Sequence, residues 1–126
     1  MEPVTASPSP SPADAGVRRA TEYLQLVDAG RTDEAQALLA EPADAREVVF
    51  LGAGFTTLAR RTGRSLPTAM RAQASTRQVR LSQLRDANRR DVEGLRGWLR
   101  EAAEELVTVT RLTETARRRL GSSSAG

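Results

Sequence analysis

The sequence predicts an all-α protein, with short helices in a hairpin-like N-terminal group, a long C-terminal helix or helical hairpin, and disordered ends. Three observations support this fold class. Apolar residues recur every three or four positions between residues 14 and 120, which is the period of a helix with one buried face. Residues suited to begin or end helices separate these stretches. No proline occurs after Pro67, so none interrupts a long helix there.

Composition divides the chain into four segments. Residues 1–13 alternate proline with serine and predict a disordered tail. Residues 14–64 are predicted to form the N-terminal helical group, and residues 65–120 to contain a basic segment and the long C-terminal helix. Residues 121–126 consist of glycine, serine and alanine and predict a flexible tail.

The first two helices are predicted over residues 14–29 and 33–40. Gly30 suits the left-handed position that ends the first helix, and Thr32 suits the N-cap of the second. Residues 24–40 resemble the joint between the two helices of a tetratricopeptide repeat. The resemblance implies an antiparallel helix pair, because one joint is too little for a peptide-binding array.

A third helix is predicted over residues 44–62, with Gly63 as its stop. Its segment 48–55 resembles the first strand and glycine turn of a dinucleotide-binding fold. Thr57 stands where that fold has its third glycine, and no acidic residue follows at the distance where the fold needs one for the ribose. We therefore interpret the segment as a helix whose glycines let a neighbour approach closely.

The fourth element is predicted to begin near Ser65 and Pro67 and to continue to Leu120. Its apolar positions form two heptad-like runs that meet at Asn88 with one extra step of four residues. We favour a continuous or bent helix through Asn88 over a break into a hairpin. One side of this helix is an apolar seam that the short N-terminal helices are too small to cover, which predicts self-association or binding to another protein. The seam consists of Leu81, Leu84, Leu95, Trp98, Leu99, Leu106 and Val109.

The residue types that the chain lacks limit its chemistry. Histidine, cysteine and lysine are all absent, which removes the commonest acid–base group, thiolate chemistry and Schiff-base chemistry. We therefore expect no enzyme, no catalytic residues, no cofactor, no metal site and no small-molecule substrate. We also expect no membrane partner and a cytoplasmic location, because the chain has neither an export signal nor a long apolar stretch.

Charge is distributed unevenly along the chain, whose net charge is +3. Residues 13–47 carry eight acidic residues and four arginines, whereas residues 48–85 carry seven arginines and no acidic residue. A basic stretch of this kind favours binding to phosphate groups or to an acidic protein.

A possible nucleic-acid segment lies within this basic stretch. Ala59, Gly63 and Ser65 occupy the small-residue, turn and cap positions of a helix-turn-helix. Residues 56–75 thus resemble the DNA-binding segment of many bacterial regulators, and the resemblance implies contacts with bases or phosphates. The candidate contact residues are Arg60, Arg61, Arg64, Thr68 and Arg71.

Two functional hypotheses follow from the sequence. The leading one is a non-enzymatic interaction or assembly protein that associates through its long amphipathic C-terminal helix, in the manner of a coiled coil or helical bundle. The alternative is a DNA-binding regulator that uses residues 56–75.

Overall fold

The structure, a computed structural model, describes the backbone of residues 12–125 and the side chains of residues 14–120. Over that range the protein is all-α, which confirms the predicted fold class. Its five helices are α1 (Pro12–Asp28), α2 (Thr32–Ala40), α3 (Ala45–Gly63), α4 (Thr68–Ala87) and α5 (Val92–Ala125). The predicted N-terminal tail lies outside these residues except for Pro12 and Ala13, which begin α1.

The first two helices lie close to their predicted bounds. Gly30 has a φ of 74°, as expected for a residue that ends a helix in the left-handed conformation. The prediction for Thr32 is wrong, because Thr32 is the first residue of α2 and Arg31 precedes it without a side-chain cap. Arg31 instead pairs with Glu34 across the first turn, with 2.8 Å between Nη2 and Oε1.

Helix α3 begins with a reciprocal cap. The Asp44 carboxylate accepts a hydrogen bond from the Glu47 backbone N–H at 2.9 Å, and the Glu47 carboxylate accepts one from the Ala43 N–H at 2.7 Å. These bonds satisfy donors that the helix itself leaves unpaired. Farther along α3, Phe55 is fully buried and meets the edge of Tyr23 with 5.2 Å between ring centroids.

Glycines allow α3 to lie against both α1 and α5. A Cβ atom on Gly54 would stand 2.1 Å from the carbonyl carbon of Gly16 in α1, and one on Gly52 would stand 2.3 Å from the Trp98 ring in α5. No real side chain fits in either place. The helical interpretation of residues 48–55 is therefore confirmed, and α3 is the central helix of the fold.

The preference for a continuous helix through Asn88 is wrong, because α4 and α5 form a hairpin. The Asn88 side chain donates to the Leu84 carbonyl at 2.8 Å and so caps the end of α4. Asp91 accepts from the Glu93 backbone N–H at 3.1 Å at the start of α5. A Cβ on Gly94 would lie 2.1 Å from Oδ1 of Asn88, so the missing side chain of Gly94 leaves the room that this turn needs.

Helix α4 runs antiparallel to α5 on the outside of the molecule. Arg77 Nε donates to Glu105 Oε1 at 2.6 Å, and Leu81 is the buried residue of α4. Helix α5 runs in the same direction as α3, since Gly52 faces Trp98 and Gly63 faces Val109. The α5 backbone is helical to Ala125, so the predicted C-terminal tail begins within this helix.

Candidate functional site

The apolar seam of α5 is covered by the chain itself. Leu95, Trp98, Leu99, Leu106 and Val109 are each at most 1% exposed. Leu81 is also buried and Leu84 is half-buried. The expectation that the N-terminal helices cannot cover the seam is corrected, because the hairpin shortens the exposed length of α5 and α3 packs along it. These residues form the core of one chain.

Trp98 is one of the largest fully buried side chains of this core. Its ring lies over Gly52 of α3, and the indole Nε1 is buried without a hydrogen-bond partner among the described residues. Elsewhere in the core, burial, and after it the negative charge of Glu104, raises the pKa of the Tyr23 phenol above its ordinary value. Trp98 is thus a core residue in this chain, where the sequence predicted a partner contact.

Four exposed arginines surround the turn between α3 and α4, and we call them the arginine surface: Arg60, Arg61, Arg64 and Arg71. Among the residues that the structure describes, none of the four forms an ion pair. Arg60 Nη2 lies 3.5 Å from Thr57 Oγ1, and Arg71 Nη2 lies 3.3 Å from Thr68 Oγ1. Both hydroxyl partners are neutral, so these two contacts do not compensate the charges of Arg60 and Arg71.

The local sequence places these side chains together. Arg60 and Arg61 lie in the last turn of α3, and Arg64 follows its final residue. Leu66 is 3% exposed and anchors the turn in the core. Pro67 precedes the first residue of α4, where its fixed φ suits the start of a helix. Arg71 lies about one helical turn after Pro67, on the side of α4 that faces Arg60 and Arg64.

A cleft of about 290 Å³ separates the ends of α3 and α4, and we call it the α3–α4 cleft. Arg60 and Arg64 belong to its α3 wall, whereas Arg71, Ser75 and Gln78 belong to its α4 wall; the other lining residues are Ala59, Gly63, Ala74 and Val109. The sequence analysis missed this cleft. Its signal was the small residues that line it, Ala59, Gly63, Ala74 and Ser75, whose short side chains leave the space between the two helices unfilled.

The residues that line the cleft also show the direction in which α4 runs after the turn. Residues 71–78 of α4 face residues 59–64 of α3, so α4 returns alongside α3. A helix-turn-helix instead sets its two helices at about 90–120°. Helix α3, helix α4 and the turn between them lie at the positions that the helix-turn-helix resemblance implies. Thr68 is exposed in the first turn of α4. The packing differs because α5 holds α4 in an antiparallel hairpin.

An ion pair between a half-buried arginine and a buried carboxylate links α4 to α5. Glu105 is 7% exposed, and its Oε1 lies 2.6 Å from Arg77 Nε. The second oxygen, Oε2, and Arg77 Nη2 are buried without a partner among the described residues. Glu105 compensates the positive charge of Arg77. Arg77 is therefore not part of the arginine surface.

An apolar groove of about 430 Å³ lies between the α3–α4 turn and the C-terminal part of α5. We call it the α5 groove. Met70 and Leu112 line it from opposite sides, and Arg119 lies at its edge; the other lining residues are Ser65, Leu66, Pro67, Thr115, Ala116 and Leu120. Because Arg119 belongs to the lining, the groove combines an apolar surface with positive charge.

Comparisons with known proteins give no match for this chain: no family model, no curated protein and no solved structure. Within residues 12–125, no helix has the length and apolar character needed to cross a membrane. Over the same part of the chain, no three acidic side chains come together in a way that could hold a metal ion. Functional argument therefore rests on the arginine surface, the α3–α4 cleft and the α5 groove.

Proposed function

We propose that this protein is a non-enzymatic nucleic-acid-binding protein that holds the phosphate backbone with its arginine surface. The observation that carries the proposal is the meeting of four exposed arginines, none ion-paired among the described residues, around one turn. Guanidinium groups bind phosphate oxygens through paired, charge-assisted hydrogen bonds.

Backbone binding fits this surface better than the reading of bases. Arg60 and Arg64 are four residues apart in and just after α3, so their like charges repel each other, and bound phosphates would relieve that repulsion. Helix α4 lies against α3 and α5, which favours contacts along a duplex over insertion into the major groove. We therefore expect binding with little sequence preference and a strong dependence on salt.

The double variant Arg64→Ala/Arg71→Ala should weaken binding to a labelled mixed-sequence DNA duplex. Each lost phosphate contact lowers the slope of log affinity against log salt by about 0.9, so the slope should fall by about 2. Fluorescence anisotropy between low salt and about 0.2 M measures it, because phosphate-driven binding changes by orders of magnitude in that range.

The matched control is Arg18→Ala/Arg31→Ala, which removes the same charge from exposed positions on α1 and before α2. This control should keep the wild-type slope within about 0.5, because neither side chain belongs to the arginine surface. Equal losses in both double variants would mean that only net charge matters. Absence of binding at low salt would refute the proposed function.

We infer a second candidate function, association with another protein, from the α5 groove. Its occupant is an amphipathic helix with apolar side chains and flanking carboxylates. The apolar lining accounts for the first property, and Arg119 in that lining accounts for the second by charge complementarity. This candidate keeps the predicted association on α5 but moves it from the buried seam to the groove.

The variant Met70→Glu should weaken binding of a synthetic helix with leucines on one face and glutamates on the other. We expect a loss of about tenfold or more, because a carboxylate would be buried against the apolar lining. Val79→Glu, at an exposed α4 position outside the groove, is the control and should change little. Equal binding of a peptide with lysines in place of the glutamates would contradict the proposed charge complementarity.

A further inference from the structure

We propose that the α3–α4 cleft is a binding site for a small anion that carries two linked phosphate groups. The inference rests on the proposed function in one respect, since Arg60, Arg64 and Arg71 belong to both sites. The inference goes beyond the proposed function because the small ligand enters the cleft, which is too narrow for a nucleic-acid duplex.

The first argument is that the positive charges stand on opposite walls. Arg60 and Arg64 line the α3 side, and Arg71 lines the α4 side. A single guanidinium can bind one phosphate group through two parallel hydrogen bonds. Two linked phosphate groups can therefore contact both walls at once, whereas a single phosphate group satisfies one wall.

The second argument is the polar character of the α4 wall. Ser75 and Gln78 also line the cleft. Ser75 contributes a hydroxyl, and Gln78 contributes an amide that can donate to phosphate oxygens. Among the residues that the structure describes, no acidic side chain lines the cleft, so none of them repels an anion there.

The third argument is size. The volume of about 290 Å³ lies at the lower end of the range for small-molecule sites, which is about 300–1,000 Å³. A diphosphate group fits this space, with room for a small substituent. A duplex is convex and much wider, so it lies across the rim, where it contacts the exposed guanidinium groups of the arginine surface without entering the cleft.

Binding should also stabilise the fold. Helix α4 is held by Leu81 and the Arg77–Glu105 pair, and a ligand that joins α4 to α3 adds a further attachment. Because only the folded chain presents both walls, the ligand should raise the unfolding temperature, by an amount that grows with the logarithm of its concentration divided by its Kd.

The experiment is isothermal titration of the full chain with inorganic pyrophosphate, with thermal unfolding in parallel. Sulfate at matched ionic strength is the control ligand and should bind at least about tenfold more weakly, because it has one anionic centre. Arg64→Ala/Arg71→Ala should lose pyrophosphate affinity by about tenfold or more, and Arg18→Ala/Arg31→Ala should retain it.

A charge-neutral variant separates the cleft from the arginine surface. Ser75→Leu fills the cleft at an exposed helical position while all the arginines remain. It should abolish the thermal shift by pyrophosphate and leave DNA affinity within about twofold, since phosphate contacts supply that affinity. Ala74→Leu, which also adds volume to the lining of the cleft, serves the same purpose if Ser75→Leu lowers helicity.

The outcomes distinguish this inference from the proposed function. Pyrophosphate binding that disappears in Ser75→Leu supports the cleft site whether or not the wild type binds DNA. Pyrophosphate binding no tighter than sulfate binding, or unchanged in both cleft-filling variants, overturns the cleft site and leaves the DNA experiment as the separate test of the arginine surface.

Discussion

Replacing Leu99 with aspartate is expected to unfold the chain. Leu99 is 1% exposed and belongs to the main core cluster. The substitution removes a packed leucine, at about 2–5 kcal/mol, and places a carboxylate in a site without solvent, which adds further cost. A domain whose total stability is about 5–15 kcal/mol should lose most or all of it. Circular dichroism and urea unfolding measure the loss.

The control for Leu99→Asp is Val79→Asp. Val79 is 57% exposed on α4, so the same kind of change there should alter stability by about 0.5 kcal/mol or less. The experiment also separates two roles for the seam. If the Leu99→Asp chain keeps its helicity but its assembled mass falls, the seam contacts a partner chain, as the sequence predicted. That result would contradict its assignment to the core of one chain.

Gly54→Ala is expected to cause the second largest loss, although it adds one methyl group. The new Cβ would stand 2.1 Å from the Gly16 carbonyl carbon and 2.3 Å from its oxygen. Both atoms belong to the backbone of α1, so α1 and α3 must separate. Overpacking of this kind typically costs about 1–3 kcal/mol, and we expect a value at or above the upper end because no side chain can move aside.

Gly97→Ala is the matched control for Gly54→Ala. Gly97 is also helical, and its added Cβ would meet only Arg100 Nη2 at 3.8 Å. This change should stabilise the protein by about 0.5–1 kcal/mol, the usual advantage of alanine over glycine within a helix. Opposite signs for the two variants, measured as midpoints of urea unfolding, confirm the close crossing of α1 and α3. Similar values for both would contradict it.

The arginine surface shows which part of the candidate site can be predicted from the sequence. The excess of arginine over acidic residues after residue 47 is visible in the sequence, and the predicted contacts at Arg60, Arg61, Arg64 and Arg71 lie together around one turn. The sequence could not predict the cleft between Arg64 and Arg71. That space depends on the separation of α3 and α4, which α5 controls from a distant part of the chain.

The sequence by itself determined the helical class and most of the helix ends. Gly30 and Asp44 act through local backbone geometry and local hydrogen bonds, which need no distant partner. The prediction that Gly63 stops α3 is wrong, because Gly63 is the last helical residue, its φ is not positive, and Arg64 follows it as the C-cap. The missing histidine, cysteine and lysine likewise limit chemistry without reference to the fold.

Only the tertiary structure decided which surface covers the apolar seam and where the long helical segment turns. Helical periodicity identifies a face that must be buried, but it carries no information on whether the same chain or another covers it. The extra step at Asn88 suits a bent helix as well as a hairpin. The hairpin is formed because Asn88 caps α4 and occupies the space beside Gly94, while α3, with its glycines, approaches α5 closely enough to bury Leu95, Trp98 and Leu99.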